Sequence, residues 1–227
     1  MATLTGAGIS AESGVPTFRG PGGLWRNFRP EDLATPEAFA RNPNLVWEWY
    51  DWRRSLIAKA EPNAGHRALA ELESRKAGKF WLITQNVDGL HDRAGNRRIV
   101  KLHGDIWTVC CVGCGAEKRN VQVPLAPLPP RCECGGMLRP GVVWFGEMLP
   151  AKALEQAYAI AQRAEVFLVL GTSSVVYPAA ALPRIAFDHG ARVIEINLEP
   201  TELSSLAHIS LRGKVGELLP QILTGAR

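Results

Sequence analysis

The five cysteines of this 227-residue sequence, Cys110, Cys111, Cys114, Cys132 and Cys134, all fall in one short central stretch. An odd, clustered set of thiols suits a metal better than disulfides. Cys111, Val112, Gly113 and Cys114 form a C-x-x-C knuckle, and 17 residues separate Cys114 from the pair Cys132 and Cys134. Thiolates at this spacing close a tetrahedral zinc shell, and four protein ligands leave no open position for catalysis. Cys111, Cys114, Cys132 and Cys134 are therefore expected to hold one structural zinc ion. The second pair is one residue shorter than the usual knuckle, which keeps Cys110 as a substitute ligand, although the knuckle geometry favours Cys111. A zinc ribbon that binds nucleic acid is the competing reading, but the stretch carries few basic residues, Lys118, Arg119, Arg131 and Arg139.

A second pattern lies at the amino end. Residues 3–5 lead into Gly6, Ala7, Gly8, Ile9, Ser10 and Ala11, a strand, glycine-rich turn and helix start of the dinucleotide-binding kind. In that pattern Gly6 permits the tight turn, Gly8 lets the backbone approach a pyrophosphate, and Ala11 packs the helix start on the sheet. The N–H groups of such a loop face an anion. Taken alone, any glycine-rich strand-to-helix turn fits. The continuation through residue 20 is too broken by Gly and Pro for one long helix. It reads as a loop carrying an aromatic, Phe18, and a guanidinium, Arg19, suited to closing over a phosphorylated ligand.

These groups need elements to place them. Short apolar runs at residues 3–5, 80–84, 166–170 and 192–196 read as buried parallel strands, and stretches with helical spacing at 43–59, 65–76, 151–163, 179–189 and 215–223 alternate with them. The alternation predicts an α/β fold, a Rossmann-like doubly wound parallel sheet with a small zinc-binding insert domain. Residues 110–139 form the insert. The larger domain is then discontinuous, 1–109 and 140–227, with a helical insert around 30–62. With 46% hydrophobic and 21% charged residues and no long uncharged apolar run, the sequence can bury a sizeable core and offers no membrane-spanning helix. The amino end lacks a signal-peptide pattern, so a cytoplasmic protein is expected. A net charge of +4 falls short of a nucleic-acid-binding arm.

Two further stretches make the pattern specific. Thr84 through His91 (TQNVDGLH) follows the second strand, and Lys101, Leu102, His103 and Gly104 precede the cysteines. With TGAGISAESGVPTFRG at 5–20, the four cysteines, RPGVVWFGE at 139–147, GTSSVVYPAA at 171–180 and INLEP at 196–200, the chain resembles the sirtuins, NAD-dependent protein-lysine deacylases, over nearly its whole length. The resemblance implies that NAD is a co-substrate held by Gly6, Ala7, Gly8, Ser10, Ala11, Phe18, Arg19 and Trp25. Gln85, Asn86, Val87 and Asp88 would face its nicotinamide ribose. Gly171, Thr172, Ser173, Asn197, Leu198, Glu199 and Val215 would hold the adenosine half. His103 and Asn86 would be catalytic, with His103 as general base, and the backbone at Val143, Phe145, Gly146 and Glu147 would pair with the substrate peptide as an added strand. In the family's reaction the acyl-lysine oxygen attacks C1′ of the nicotinamide ribose and expels nicotinamide; an alkylimidate forms, the 2′-hydroxyl, activated by His103, attacks it, and water completes the release of lysine and 2′-O-acyl-ADP-ribose. The side chains suit these roles, since a neutral imidazole can accept a hydroxyl proton near working pH. Their bland alternatives are a packed histidine at a strand end and helix caps at Asn86 and Asp88.

Tyr50 and Arg53, spaced i and i+3 in the 43–59 helix, share a face and can point at one target. A carboxylate at the end of a buried acyl chain suits a guanidinium fork plus a phenol. The pair matches the Tyr-x-x-Arg motif of class III sirtuins, which remove succinyl, malonyl or glutaryl groups. Ala34 resembles the small residue that widens their acyl pocket. A core tyrosine beside a solvated arginine is the bland alternative. The chain opens closer to the glycine loop than is usual in the family, so either its start lies further upstream or the first strand is unusually short; a truncated central strand would leave the loop mobile or the protein poorly folded. Acyl-lysine proteins or peptides are the expected partners of a monomer, with no membrane and no nucleic acid. Mono-ADP-ribosyltransfer and a non-catalytic NAD and acyl-peptide module are the alternative functions.

Overall fold

The computed structural model describes residues 1–18, 23–24, 27 and 29–225. Arg19 and Trp25 of the expected NAD set lie outside the described residues. The amino-terminal apolar run forms strand β1 (Ala2–Thr5), and the glycines after it open helix α1 (Ala7–Ala11). Helices α2 (Pro30–Leu33), α3 (Pro36–Arg41) and α4 (Pro43–Lys59) each begin on proline, where the missing N–H costs nothing, and Thr35 and Asn42 cap the latter two. Helix α5 (Ala64–Arg75) is capped by Asn63 and leads to β2 (Trp81–Thr84), α6 (Leu90–Ala94) and β3 (Ile99–Lys101). Strands β4 (Gly104–Cys111), β5 (Glu117–Arg119) and β6 (Leu138–Val142) make a separate sheet. The chain then returns through α7 (Ala151–Arg163), β7 (Val166–Leu170), α8 (Leu182–Asp188), β8 (Arg192–Asn197), β9 (Ile209–Arg212) and α9 (Val215–Gly225).

Among the described residues the large sheet is parallel, in the order β3-β2-β1-β7-β8-β9. Side chains alternate between its faces, as the pleat requires. Leu4, Ile83, Val169 and Val193 pack with Ala157 and Ala161 of α7 and Leu182 and Ala186 of α8. Leu82, Leu168, Leu170 and Ile196 pack on the other side with Leu69 and Leu72 of α5 and Val215 and Leu219 of α9. This is the doubly wound arrangement, and the strand order reverses between β1 and β7, where such sheets open a crevice beyond their carboxyl ends. β1 is short, as expected, yet all four of its residues pair with β2 on one side and β7 on the other.

The small sheet has the order β5-β4-β6 and is antiparallel. Its strands reach from Gly104 to Val142 and so extend past the 110–139 insert at both ends, because β4 and β6 also carry the chain away from and back to the large sheet. Helix α4 ties this module down. Trp47 donates its indole N–H to the Leu138 carbonyl at 2.8 Å, the Leu125 N–H donates to Asp51 at 2.7 Å, and the buried Arg54 donates to the side-chain oxygen of Asn120 at 2.7 Å. Trp47, Ile57, Trp107, Val109, Leu138 and Trp144 share one apolar cluster between helix and module.

The glycines after β1 belong to the reversal point. Gly6 has an ordinary extended backbone, so a tight turn is not what selects it. A Cβ on Gly6 would lie 2.7 Å from the Thr172 Cβ, and one on Gly8 would lie 2.7 Å from the Gly171 oxygen. The close approach of the loop after β7 requires both glycines, and for Gly6 it replaces the tight turn expected of it. The Gly8 N–H donates to the Gly171 carbonyl at 2.8 Å, and that of Gly6 to Leu170 at 3.1 Å, which ties the loop to the sheet. Gly8→Ala is expected to destabilise the fold by about 1–3 kcal/mol, the usual cost of overpacking. Urea denaturation would show it, and an unchanged midpoint would mean that the two loops part freely.

Candidate active site

Beyond the carboxyl ends of β1 and β7 lies a cleft of about 710 Å³, bounded by the large sheet, α4 and the segment after β6. Of the residues expected to bind NAD, Gly6, Ala7, Gly8, Ala11, Phe18, Gln85, Asn86, Val87, Gly171, Thr172, Ser173, Asn197, Leu198 and Glu199 line it. So do His103, Ala34, Tyr50, Arg53, Val143, Phe145, Gly146 and Glu147. Of the expected residues that the structure describes, three do not. Ser10 and Asp88 are buried behind the wall, where the Ser10 hydroxyl donates to Asp88 at 2.8 Å. Val215, at the start of α9, is buried in the core with Ile9 and Leu219. Ala11 ends α1 and is exposed at the cleft, so it does not pack the helix start on the sheet; Ile9 does.

His103 follows β3, and its Nδ1 lies 3.0 Å from the Gln85 carbonyl. A carbonyl only accepts, so the proton sits on Nδ1 and the Nε2 lone pair remains as the base. Burial lowers the imidazole pKa below its ordinary 6.5, against a smaller opposing effect of that hydrogen bond. Gly104 next to it has φ +81°, and a Cβ there would lie 2.2 Å from the Gly141 oxygen. Only glycine lets the chain turn from His103 into β4 so close to β6. Asn86 donates Nδ2 to the Gly6 carbonyl at 3.0 Å and to Ser10 at 3.2 Å. Gln85 donates to the Thr172 hydroxyl at 2.9 Å, and Asn197 donates to the Thr172 carbonyl at 3.3 Å. The side chains beyond the two central strands are thus joined to each other across the reversal point.

At the other end of the cleft Tyr50 and Arg53 project from α4. The Tyr50 hydroxyl accepts the Trp144 indole N–H at 2.9 Å, and burial pushes its pKa up to about 12, so it stays a neutral donor. Arg53 is buried, with its guanidinium carbon 4.6 Å from the Phe18 ring centre and 5.0 Å from that of Trp49. Among the described residues it has no hydrogen-bond or ion-pair partner. Burial lowers its pKa, with Tyr50 and Asp88 opposing. A buried cation without an anion is expensive, so the arrangement calls for an anionic ligand.

The segment after β6 is held by Glu147, whose carboxylate takes a two-pronged contact from Arg139, at 2.5 and 2.9 Å, and the Trp144 N–H at 2.8 Å. Glu147 therefore shapes the wall with its carboxylate already engaged. The N–H groups of Val143 and Phe145 donate to the carbonyls of His103 and Ala34, both at 2.9 Å, and so are not available to a peptide. Trp144 and Trp49 also line the cleft and were not among the expected residues. The signal for Trp144 was its place inside RPGVVWFGE, and for Trp49 its place beside Tyr50.

In the small module the sulfur atoms of Cys111, Cys114, Cys132 and Cys134 all lie within 4.8 Å of one another, with 3.5 Å between Cys111 and Cys134 and 3.8 Å between Cys114 and Cys132. A zinc–sulfur bond of about 2.3 Å sets tetrahedral sulfurs about 3.8 Å apart, so the four thiols fit the metal. The N–H groups of Cys114 and Gly113 point at the Cys111 sulfur and draw its pKa down to about 6. Cys110 stands outside the group, beside Glu117, with its thiol pushed up to about 11, mainly by burial.

The sequence profile of the Sir2 family matches residues 6–178. A protein named NAD-dependent protein deacylase from Aquifex aeolicus is 58% identical over 223 residues, 98% of this chain and 93% of the relative. The chain belongs to the Sir2 family. Among solved structures, a mutant Sir2 homologue in complex with 2′-O-acetyl-ADP-ribose matches with a TM-score of 0.94 at 51% identity, covering 100% of this chain and 91% of that one. A Sir2 chain with p53 peptide and NAD+ matches with a TM-score of 0.88 at 34% identity, covering 99% and 92%. In this Sir2-family chain Cys114→Ser is expected to lose zinc and lower the melting temperature, whereas Cys110→Ser keeps one zinc per chain. Atomic emission on the purified variants checks this, and zinc lost from Cys110→Ser would place the ligand set elsewhere.

Proposed function

We propose that this Sir2-family chain is an NAD-dependent protein-lysine deacylase that prefers acyl groups ending in a carboxylate. The observation that carries the acyl preference is the Arg53 guanidinium, buried against two aromatic rings at the cleft with no ion-pair partner among the described residues. A terminal carboxylate would take a charge-assisted pair of N–H bonds from Arg53 and the O–H of Tyr50. Acetyl-lysine fits the same passage without that contact, so it is the poorer substrate.

NAD, as co-substrate, supplies a ribosyl carbon already bonded to its leaving group, nicotinamide. The chain's part is to bring an acyl-lysine oxygen to that carbon, exclude water and move one proton. The loop Gly6 to Gly8 and the residues Thr172, Asn197 and Glu199 receive the diphosphate and adenosine half. Asn86 presents its free Oδ1 toward the ribose, because both its amide hydrogens are spent on the wall. His103 accepts a ribose hydroxyl proton on Nε2 as the acyl group passes from lysine to ADP-ribose. The substrate backbone pairs with the 143–147 segment through the groups that Val143 and Phe145 have not already used internally. The zinc ion, with four cysteines around it, holds the module that braces α4 and takes no part in the chemistry.

Purified, zinc-loaded protein with NAD and matched acetyl-lysine and succinyl-lysine peptides is expected to release nicotinamide and to lose succinyl faster. Mass spectrometry follows both products. Arg53→Met should lower kcat/KM for the succinyl peptide on the order of ten- to a hundredfold, the worth of one hydrogen-bonded charge, without loss of thermal stability, since it removes an unpaired buried cation. Faster loss of acetyl by the wild type discards the clamp, and absence of nicotinamide release discards catalysis. The base must be neutral, and burial places the His103 pKa below 6.5. The acid limb of kcat/KM for NAD is therefore expected below pH 6.5, with full activity above it and loss as pH falls through it. A limb above pH 6.5 would assign the base to another group.

A further inference from the structure

The Tyr50 oxygen is engaged by the Trp144 indole N–H at 2.9 Å, and among the described residues its own proton has no acceptor. We propose that Trp144 is a specificity-determining residue: its indole N–H makes the Tyr50 hydroxyl a fixed donor, so that this end of the cleft takes a terminal carboxylate and rejects a terminal amide of the same shape. The inference rests on the reading of Tyr50 and Arg53 as the acyl end of a deacylase cleft, and it names what that end discriminates against.

A phenol both donates and accepts, whereas an indole N–H only donates. The side of the Tyr50 oxygen that faces Trp144 is therefore its accepting side, and the O–H is turned away from it. Trp144 is held in that place from two directions. Its ring is buried, with the Arg139 guanidinium carbon 3.6 Å from the ring centre and the Phe39 ring centre 5.3 Å away. Arg139 is fixed in turn by Glu147, which also accepts the Trp144 backbone N–H at 2.8 Å. One ion pair thus restrains both the ring and the backbone of Trp144, and the indole stays on Tyr50. The phenol is buried as well, with the Trp49 ring edge-on to it at 4.8 Å between centres. Arg53, one turn further along α4, offers only N–H donors. A terminal group seated between the two residues then meets donors on both sides. A carboxylate accepts from both. A primary amide accepts through its oxygen, but its NH2 must face a guanidinium or the phenol proton, donor against donor, and in a buried site those hydrogens go without a partner. Selectivity built this way comes from the mismatch as much as from the attraction. With the Trp144 donor removed, the Tyr50 hydroxyl can rotate and accept from an amide, and the discrimination weakens although Arg53 is unchanged.

Trp144 also fills space, so the test must separate the donor from the bulk. Trp144→Phe keeps a large ring and removes the N–H. Trp144→His has less bulk but can set a ring N–H where the indole nitrogen stands. The zinc-loaded proteins are assayed with NAD and two peptides that differ only at the acyl end, succinyl-lysine and its terminal amide, succinamoyl-lysine. The ratio of the two kcat/KM values is the readout, because it cancels any effect common to both peptides. The wild type is expected to favour succinyl. Trp144→Phe should lower the ratio about three- to tenfold, the effect of one hydrogen bond, and Trp144→His should restore most of it even if its melting temperature is the lower of the two. On Tyr50→Phe, Trp144→Phe should leave the ratio where it is. A ratio unchanged by Trp144→Phe, a larger fall in Trp144→His than in Trp144→Phe, or full additivity with Tyr50→Phe overturns the inference while leaving the acyl preference standing. Where Trp144→Phe yields no folded protein, retention of the ratio by Trp144→His supports the inference and its loss overturns it. A wild type that removes acetyl faster than succinyl overturns the functional reading itself.

Discussion

The Gly8 N–H meets the Gly171 carbonyl at 2.8 Å across the point where the sheet reverses its strand order. That contact leaves no room for a side chain on either loop, which makes the crevice floor out of bare backbone. Below the floor the same closeness brings Thr5, Ser10, Thr84, Asn86 and Asp88 into one buried polar layer. The cleft's chemistry is thus borrowed from a packing constraint between two strand ends.

Helix α4 connects the rest. Trp47, Asp51 and Arg54, at spacings of four and three, make one stripe that grips the zinc module. Tyr50 and Arg53 lie about a quarter-turn round the helix and face the cleft. Trp144, just past β6, bonds Tyr50 from the opposite wall. Both walls of the Tyr50 and Arg53 end of the cleft therefore hang on the module that carries the four clustered cysteines. Arg53 is held there as a buried cation with no ion-pair partner among the described residues, an arrangement that costs stability.

Much of this was legible in the sequence. The zinc ligands were readable because metal spacing is a local property, and the sulfur cluster excludes Cys110 as the spacing suggested. The helix at 43–59 and the Tyr50 and Arg53 face followed from helical period, which is local too. The glycine loop was placed correctly for a different physical reason, since nothing in TGAGIS reveals that the loop at Gly171 presses on it. Ser10, Asp88 and Val215 sit inside or beside binding motifs, yet motif spacing does not distinguish a residue that lines a cleft from one that backs it. That depends on helix rotation and on partners such as His66, 56 positions away from Ser10. Short strands such as β3, β5 and β9 escaped notice because three or four residues carry too little periodicity to stand out.

The most direct test of the central claim is a crystal structure of the zinc-loaded protein with a succinyl-lysine peptide and NAD in the cleft. The acyl carboxylate is expected on the Arg53 guanidinium and the Tyr50 hydroxyl, with His103 Nε2 turned to the ribose. A carboxylate directed to solvent, with Arg53 still facing only Phe18 and Trp49, would contradict the assignment of this cleft to negatively charged acyl groups.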